Sequence, residues 1–226
     1  MSTKVKICGL TCLEDADSVI ESGADYAGMV VFFEKSKRCI SVGKAQELVD
    51  YIRRRSDIIP VAVTVSPDIC EVKSLLHAGF KHIQIHGQLS GDILKDNELW
   101  ENGLKVIRAY NTISEDTSDE IKVLKTYAFV ELFLFDAGSP GSGCTFDWNS
   151  IPPADILGKP FILAGGLTPD NVRYAIESVH PFGVDVSSGV ENGKVLTSEE
   201  IKNGISMKSR EKMLRFVSEA LKTGRE

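Results

Sequence analysis

The sequence lacks most of what marks a secreted, membrane-bound or nucleic-acid-binding chain. Its five cysteines (Cys8, Cys12, Cys39, Cys70 and Cys144) are odd in number and scattered, which argues against a disulfide framework and for reduced thiols in a cytoplasm. Basic charge is not in surplus: 26 Lys and Arg stand against 32 Asp and Glu, a net charge of −6. A nucleic-acid or membrane-surface partner is therefore not expected, and an anionic ligand has to be held by local groups. No stretch reaches the roughly 18 consecutive apolar residues of a membrane helix. The opening residues 1–8 carry no signal-peptide apolar region and read as a strand. Histidines are few, 4 in all, and their spacing from Cys8 or Cys12 fits no zinc pattern, so no metal is expected. Linkers, low-complexity tracts and composition breaks are missing too, so residues 1–226 are expected to form a single domain. What remains is globular: 42% hydrophobic and 26% charged residues exclude a disordered or collagen-like chain.

Short β-branched or apolar runs recur along the whole length, each followed by a polar, helix-like stretch. Strands are expected at 5–8, 26–32, 60–65, 82–86, 104–109, 129–136, 160–164 and 183–186, with helical patterns at 12–21, 43–53, 69–77, 120–125 and 169–178. The stretch 198–222 has helical spacing in its back half, with the pattern broken at Asn203-Gly204. Eight such units over 226 residues average about 28 residues each, which suits a (β/α)8 TIM barrel. Strict alternation calls for a parallel sheet, and the count of eight calls for closure. A doubly wound open sheet is the competing α/β arrangement.

A strand sends alternate side chains to opposite faces, so each barrel strand aims every second residue at the axis. With Val5 and Ile7 toward the helices, Lys6 and Cys8 point inward. The same logic turns Gln84 and His86 inward from the fourth strand, Asp136 from the sixth and Asp185 from the eighth. It also selects Arg108 from Lys105-Val106-Ile107-Arg108, at the cost of placing Val106 on the inner face. Buried polar groups are costly unless they pair or meet a ligand, and the carboxyl-terminal rim is where barrel active sites lie. Polar residues delivered there by five strands predict an active site.

Two loops look suited to phosphate. One carries Gly165 and Gly166 and leads through Pro169 toward a helix; the other carries Ser187, Ser188 and Gly189 after the last strand. Glycines let the backbone come close, and free amides at a helix start attract anions. Loops after strands seven and eight are the recurrent phosphate position in this architecture. A third glycine-containing stretch, 138–143, reads either as a flap over the ligand or as a solvated loop, and Gly143 within it is counted with the phosphate-binding set.

At these residues the chain resembles the phosphoribosylanthranilate isomerase family of tryptophan biosynthesis. The matching segments are Lys6-Ile7-Cys8-Gly9-Leu10-Thr11, Gly23-Ala24-Asp25, Ser36-Lys37-Arg38, Gln84-Ile85-His86-Gly87, Phe135-Asp136 and Gly143-Cys144-Thr145-Phe146-Asp147-Trp148. Leu163-Ala164-Gly165-Gly166-Leu167 and Val184-Asp185-Val186-Ser187-Ser188-Gly189-Val190-Glu191 follow in the family's order. The resemblance implies an Amadori rearrangement of N-(5-phosphoribosyl)anthranilate without metal or organic cofactor. It implies Asp136 as general acid, Cys8 as general base and Arg38 as the partner of the anthranilate carboxylate. His86 and Arg108 either line the pocket or neutralise rim carboxylates. A working thiolate at Cys8 calls for a lowered pKa; Lys6 either supplies the cation or pairs with Asp185. The implied partner is a small phosphoribosyl compound, bound by a monomer or homodimer.

The chain departs from the family at several points. Cys144 stands where a lysine is usual, the loop between Asp136 and Phe146 is short, the third strand ends on Thr64-Val65-Ser66, and the polar stretch 192–209 has no assigned role. Two alternatives share the barrel: a paralogue that binds a phosphosugar without turning it over, and the sugar isomerase of histidine biosynthesis, in which an aspartate replaces Cys8.

Overall fold

A computed structural model describes residues 2–111, 115–136, 151, 157–194, 196–202 and 204–222. Its eight strands are β1 (Lys4–Cys8), β2 (Tyr26–Val30), β3 (Ile59–Val65), β4 (His82–His86), β5 (Lys105–Tyr110), β6 (Val130–Asp136), β7 (Phe161–Ala164) and β8 (Gly183–Val186). Each pairs in parallel with its sequence neighbours, and β1 also pairs with β8 in the register Lys6↔Asp185 and Ile7↔Val186. The sheet is thus a closed (β/α)8 barrel. The doubly wound alternative fails here, because an open sheet leaves its two outer strands unpaired.

Around it lie α1 (Leu13–Ser22), α2 (Val42–Arg53), α3 (Ile69–His77), α4 (Gly91–Lys95), α5 (Asn97–Glu101), α6 (Glu115–Leu124), α7 (Val172–Val179), α8 (Ser198–Lys202) and α9 (Arg210–Leu221). Several starts are set by side-chain caps. Ser41 and Ser209 accept from the third residue on, and Asp68 with Glu71 forms a reciprocal capping box, each cap stabilising by about 1 kcal/mol. The short pair α4 and α5 was not expected; Asp96, which ends one and caps the next through Leu99 N, divides them. The expected break in the terminal stretch is present: Gly204, at φ +86°, lies between α8 and α9. None of the described helices is long and apolar enough to cross a membrane.

Parallel strands covered on both faces are apolar on both, and the buried residues fall into two clusters accordingly. Val5, Ile7, Ala27, Met29, Ile83, Ile85, Val106, Phe133, Phe135 and Val184 pack against the helices. Cys8, Tyr26, Val30, Val61, Val63, Ile107, Ala109, Leu132, Leu134 and Ala164 fill the barrel interior. One irregularity matters for the site. Val106 pairs with Val130 but Ile107 pairs with Leu132, so Glu131 is skipped. This bulge sends Val130 outward and Leu132 inward, and Asp136 then shares the inner face of Leu132, Leu134 and its register partner Ala164.

The same register corrects the expectation for Arg108. Ile107 and Ala109 lie in the interior, and Arg108 pairs with Ile85 and Phe133 on the helix-facing side. Its charge is satisfied there: Nη1 donates to the Ile85 carbonyl at 2.8 Å, Nη2 to the Gly87 carbonyl at 2.6 Å, and Glu120 of α6 completes the pair at 3.1 Å. Alternation phased on the charged residue suggested an inward side chain; buried carbonyls and a helix carboxylate hold this one outside the barrel. Of the two roles open to Arg108, lining the pocket and neutralising a carboxylate, the second is the one formed, with Glu120.

Candidate active site

The first strand brings Lys6 and Cys8 to the inner face, with Cys8 as its last residue. Lys6 is fully buried, and its Nζ donates to Asp185 Oδ2 at 3.0 Å across the β1–β8 seam. Both roles considered for Lys6 are present: it pairs with Asp185, and its ammonium also acts on the Cys8 thiol. Cys8 registers against Gly28 of β2. A Cβ at Gly28 would lie 3.0 Å from Cys8 Sγ and 3.1 Å from Lys6 Nζ, so a side chain there would press on both. Sequence reasoning missed Gly28; the signal available was a lone glycine inside an apolar strand, which marks close approach.

Electrostatics at this corner run against one expectation. Burial pushes the Cys8 thiol up, although the ammonium groups of Lys6 and Lys208 oppose it and Asp185 adds to the rise. Desolvation wins, and the thiol is not lowered. Burial also works against the Lys6 ammonium, but Asp185 and Cys8 together outweigh it and hold Lys6 above the ordinary lysine value. Cys12, the neighbouring thiol, is the N-cap residue of α1, and burial with the Asp15 carboxylate raises it to about 11.

From β4, Gln84 Nε2 donates to His86 Nε2 at 2.8 Å and His86 Nδ1 donates to Asn111 Oδ1 at 3.3 Å. These partners select the neutral Nδ1–H tautomer, in keeping with the burial that lowers the His86 pKa. Gln84 Oε1 and Asp185 Oδ1 are buried acceptors with no protein donor among the described residues, so hydroxyl donors of a ligand would satisfy them. Gln84 and Asn111 join the site as residues not assigned from sequence. Asp136 ends β6, separated from β1 by β7 and β8 one way around the barrel and by β2 to β5 the other. Cys8 and Asp136 therefore stand on opposed walls at the same carboxyl-terminal rim.

The two loops after β7 and β8 form one surface. Gly165 and Gly166 both have positive φ, 89° and 63°, and Asn171 braces the turn by donating to the Gly166 carbonyl and accepting from Thr168 N. In the second loop Ser187 leads into a 3-10 turn, Ser188–Val190. A Cβ on Gly189 would overlap the Leu167 carbonyl oxygen, so the backbones of the two loops touch only because position 189 is glycine. Gly143 and Cys144 lie outside the described residues. Arg38, in the loop after β2, is held to Glu191 Oε1 through Nε at 2.6 Å, and Lys37 reaches Glu191 Oε2 at 3.2 Å. The barrel thus joins Lys6, Cys8, Gln84, His86, Asp136 and Asp185 with two glycine loops and one arginine, and leaves out Arg108.

The sequence profile of the N-(5'-phosphoribosyl)anthranilate isomerase family matches residues 5–206. The chain belongs to that family. A curated member, the N-(5'-phosphoribosyl)anthranilate isomerase of Streptococcus mutans, is 39% identical over 204 residues, covering 90% of this chain and 97% of its own. Among solved structures, a phosphoribosylanthranilate isomerase in complex with reduced 1-(o-carboxyphenylamino)-1-deoxyribulose 5-phosphate superposes with a TM-score of 0.74 at 31% identity, covering 96% of this chain and 98% of that one. Monomers generated from the dimeric enzyme of Thermotoga maritima superpose at 0.73, also at 31% identity and with the same coverage. The family match spans every described residue of the rim, from Lys6-Ile7-Cys8-Gly9 to Ser187-Ser188-Gly189.

Proposed function

We infer that this chain is a phosphoribosylanthranilate isomerase, an aldose–ketose isomerase of tryptophan biosynthesis. It converts N-(5-phosphoribosyl)anthranilate to 1-(2-carboxyphenylamino)-1-deoxyribulose 5-phosphate. The observation that carries the assignment of roles is the placement of a thiol and a carboxyl group on opposed walls of one barrel mouth. Asp136, as general acid, protonates the furanose ring oxygen, and the C1′–O bond breaks to give a Schiff base. Cys8, as general base, takes the C2′ proton; the electron pair moves into the C1′–C2′ bond to give an enolamine, which tautomerises to the ketone. The sugar is oxidised at one carbon and reduced at the next, so the chemistry needs no outside oxidant, only the two proton carriers.

The raised Cys8 thiol is protonated in the free protein near neutrality, and once ionised it is a stronger base than an ordinary thiolate. We assign the substrate phosphate to Gly143, Gly165, Gly166, Ser187, Ser188 and Gly189, and the anthranilate carboxylate to Arg38, whose planar guanidinium suits it. Asp185 Oδ1 and Gln84 Oε1 accept ribose hydroxyls, and neutral His86 lines the same wall. One domain carries the reaction, in a cytoplasmic monomer or homodimer. Purified protein should quench the fluorescence of the anthranilate ribonucleotide catalytically and restore growth to a tryptophan auxotroph lacking this step. Soluble protein that does neither would refute the assignment and favour a phosphosugar binder.

A further inference from the structure

The polar stretch 192–209, which had no role in the sequence, returns to the rim along partly and fully buried polar contacts. Asn192 Nδ2 donates to the carbonyls of Ser206 and Lys208 at 3.1 and 3.3 Å, and Ser206 Oγ donates to Asp15 Oδ1 at 2.5 Å. Asp15 also accepts from Thr11 N and Oγ1, at 2.7 and 3.0 Å, in the loop after β1. The result is that the Lys208 side chain, 1% exposed, lies beneath the loop after β8. Its Nζ donates to the Ser187 carbonyl at 2.9 Å and stands 3.4 Å from Ser187 Oγ and 3.8 Å from Glu191 Oε1. That Glu191 oxygen is the one that holds Arg38. Gly9 marks the junction: a Cβ there would lie 2.5 Å from Arg38 Cδ and 3.1 Å from Ser187 Oγ.

An ammonium buried to this degree is costly, and burial pulls Lys208 down to about 8 against the attraction of Glu191. A hydrophobic side chain would fill the same space without that cost. What the charge adds is orientation. In a trans peptide the C=O and the following N–H point to opposite sides, so a Ser187 carbonyl pinned toward Lys208 turns the Ser188 N–H away from it, to the exposed side of the loop.

Resting on the function inferred above, we propose that Lys208 is a positioning residue that sets both anion-binding ends of the site, the phosphate loop through Ser187 and Arg38 through Glu191. It contacts neither the sugar nor the reacting atoms, and its pull on the Cys8 thiol is secondary to that of Lys6. Its removal weakens the hold on the substrate more than it slows the proton transfers.

The test is steady-state kinetics of the full chain and its Lys208→Met, Lys208→Gln and Lys208→Arg variants, with inorganic phosphate as competitive inhibitor and thermal midpoints as a folding check. Lys208→Met and Lys208→Gln are expected to raise KM and the phosphate Ki on the order of tenfold while kcat falls by no more than about threefold, and Lys208→Arg to recover most of the loss. A folded neutral variant with wild-type KM and Ki, or one that loses kcat alone, would overturn the proposal. Should the neutral variants not fold, Glu191→Gln cuts only the arm to Arg38. It is expected to raise KM with the phosphate Ki unchanged, and an unchanged KM would count against the proposal. Turnover by the wild type separates this question from the functional reading. If the wild type does not isomerise the anthranilate ribonucleotide, that reading fails, and direct titration with inorganic phosphate decides Lys208. Binding that is equal in wild type and Lys208→Met, or missing in both, overturns it.

Discussion

Cys8 sits where two demands conflict. A base must lose its proton, yet the barrel interior that shields the reaction also raises the thiol. The raised pKa has a kinetic signature: the thiolate population grows with pH, so kcat at saturating substrate should climb above neutrality, and Cys8→Ser should abolish that limb. A kcat independent of pH in the wild type would contradict a thiolate base. Cys12 is the control, since it sits at the start of α1, past the strand end, and its thiol is raised to about 11; Cys12→Ala should keep kcat within about twofold of wild type, well short of what loss of a general base costs. Gly28 gives a second test at this scale. Gly28→Val forces a side chain toward Cys8 Sγ and Lys6 Nζ and should destabilise by about 1–3 kcal/mol, as overpacking does, with activity lost alongside. Chemical denaturation and the fluorescence assay read the two effects; a valine variant with wild-type stability would mean the wall yields.

At the scale of elements, the strands were legible in the sequence because each is apolar on both faces and bounded by polar, helix-like runs. Their inward residues were legible where one hydrophobic neighbour fixed the phase, as with Val5 and Ile7 around Lys6 and Cys8. The inward placement of Arg108 failed because alternation was phased on the charged residue, which put Val106 on the inner face, whereas Val106 packs against the helices. Three backbone carbonyls, those of Ile85, Gly87 and Ala109, and Glu120 satisfy its charge outside the barrel, and such partners are invisible before the chain folds. Arg108→Met should therefore cost about 1.5–3 kcal/mol of stability through the lost charge-assisted hydrogen bonds, with KM nearly unchanged. A raised KM at wild-type stability would restore a binding role. The loops after β7 and β8 were legible from their glycines, but the contact between them was not, because Gly189 meets Leu167 only in three dimensions. Lys208 was hidden for the same reason: 21 positions separate it from Ser187.

For the whole molecule, the decisive feature is closure. The Lys6–Asp185 pair spans the seam where the last strand meets the first, so one contact serves both the barrel and the site. Lys6→Met strands a buried carboxylate and should cost about 3–5 kcal/mol, whereas Lys6→Met with Asp185→Leu should recover most of it, because apolar replacement of a buried pair is often neutral. Urea unfolding midpoints of the two variants decide; equal losses in both would show that the pair does not act as a unit.

The central claim is that one thiol and one carboxyl group, at the ends of β1 and β6 in that closed mouth, carry the proton transfers. Single-turnover fluorescence of the anthranilate ribonucleotide, with enzyme in excess over substrate, measures it without interference from binding. Cys8→Ser and Asp136→Asn should each slow the decay on the order of 10²–10⁴-fold, the usual contribution of a general acid or base, while both still bind the substrate. A wild-type decay rate in either variant would contradict the claim.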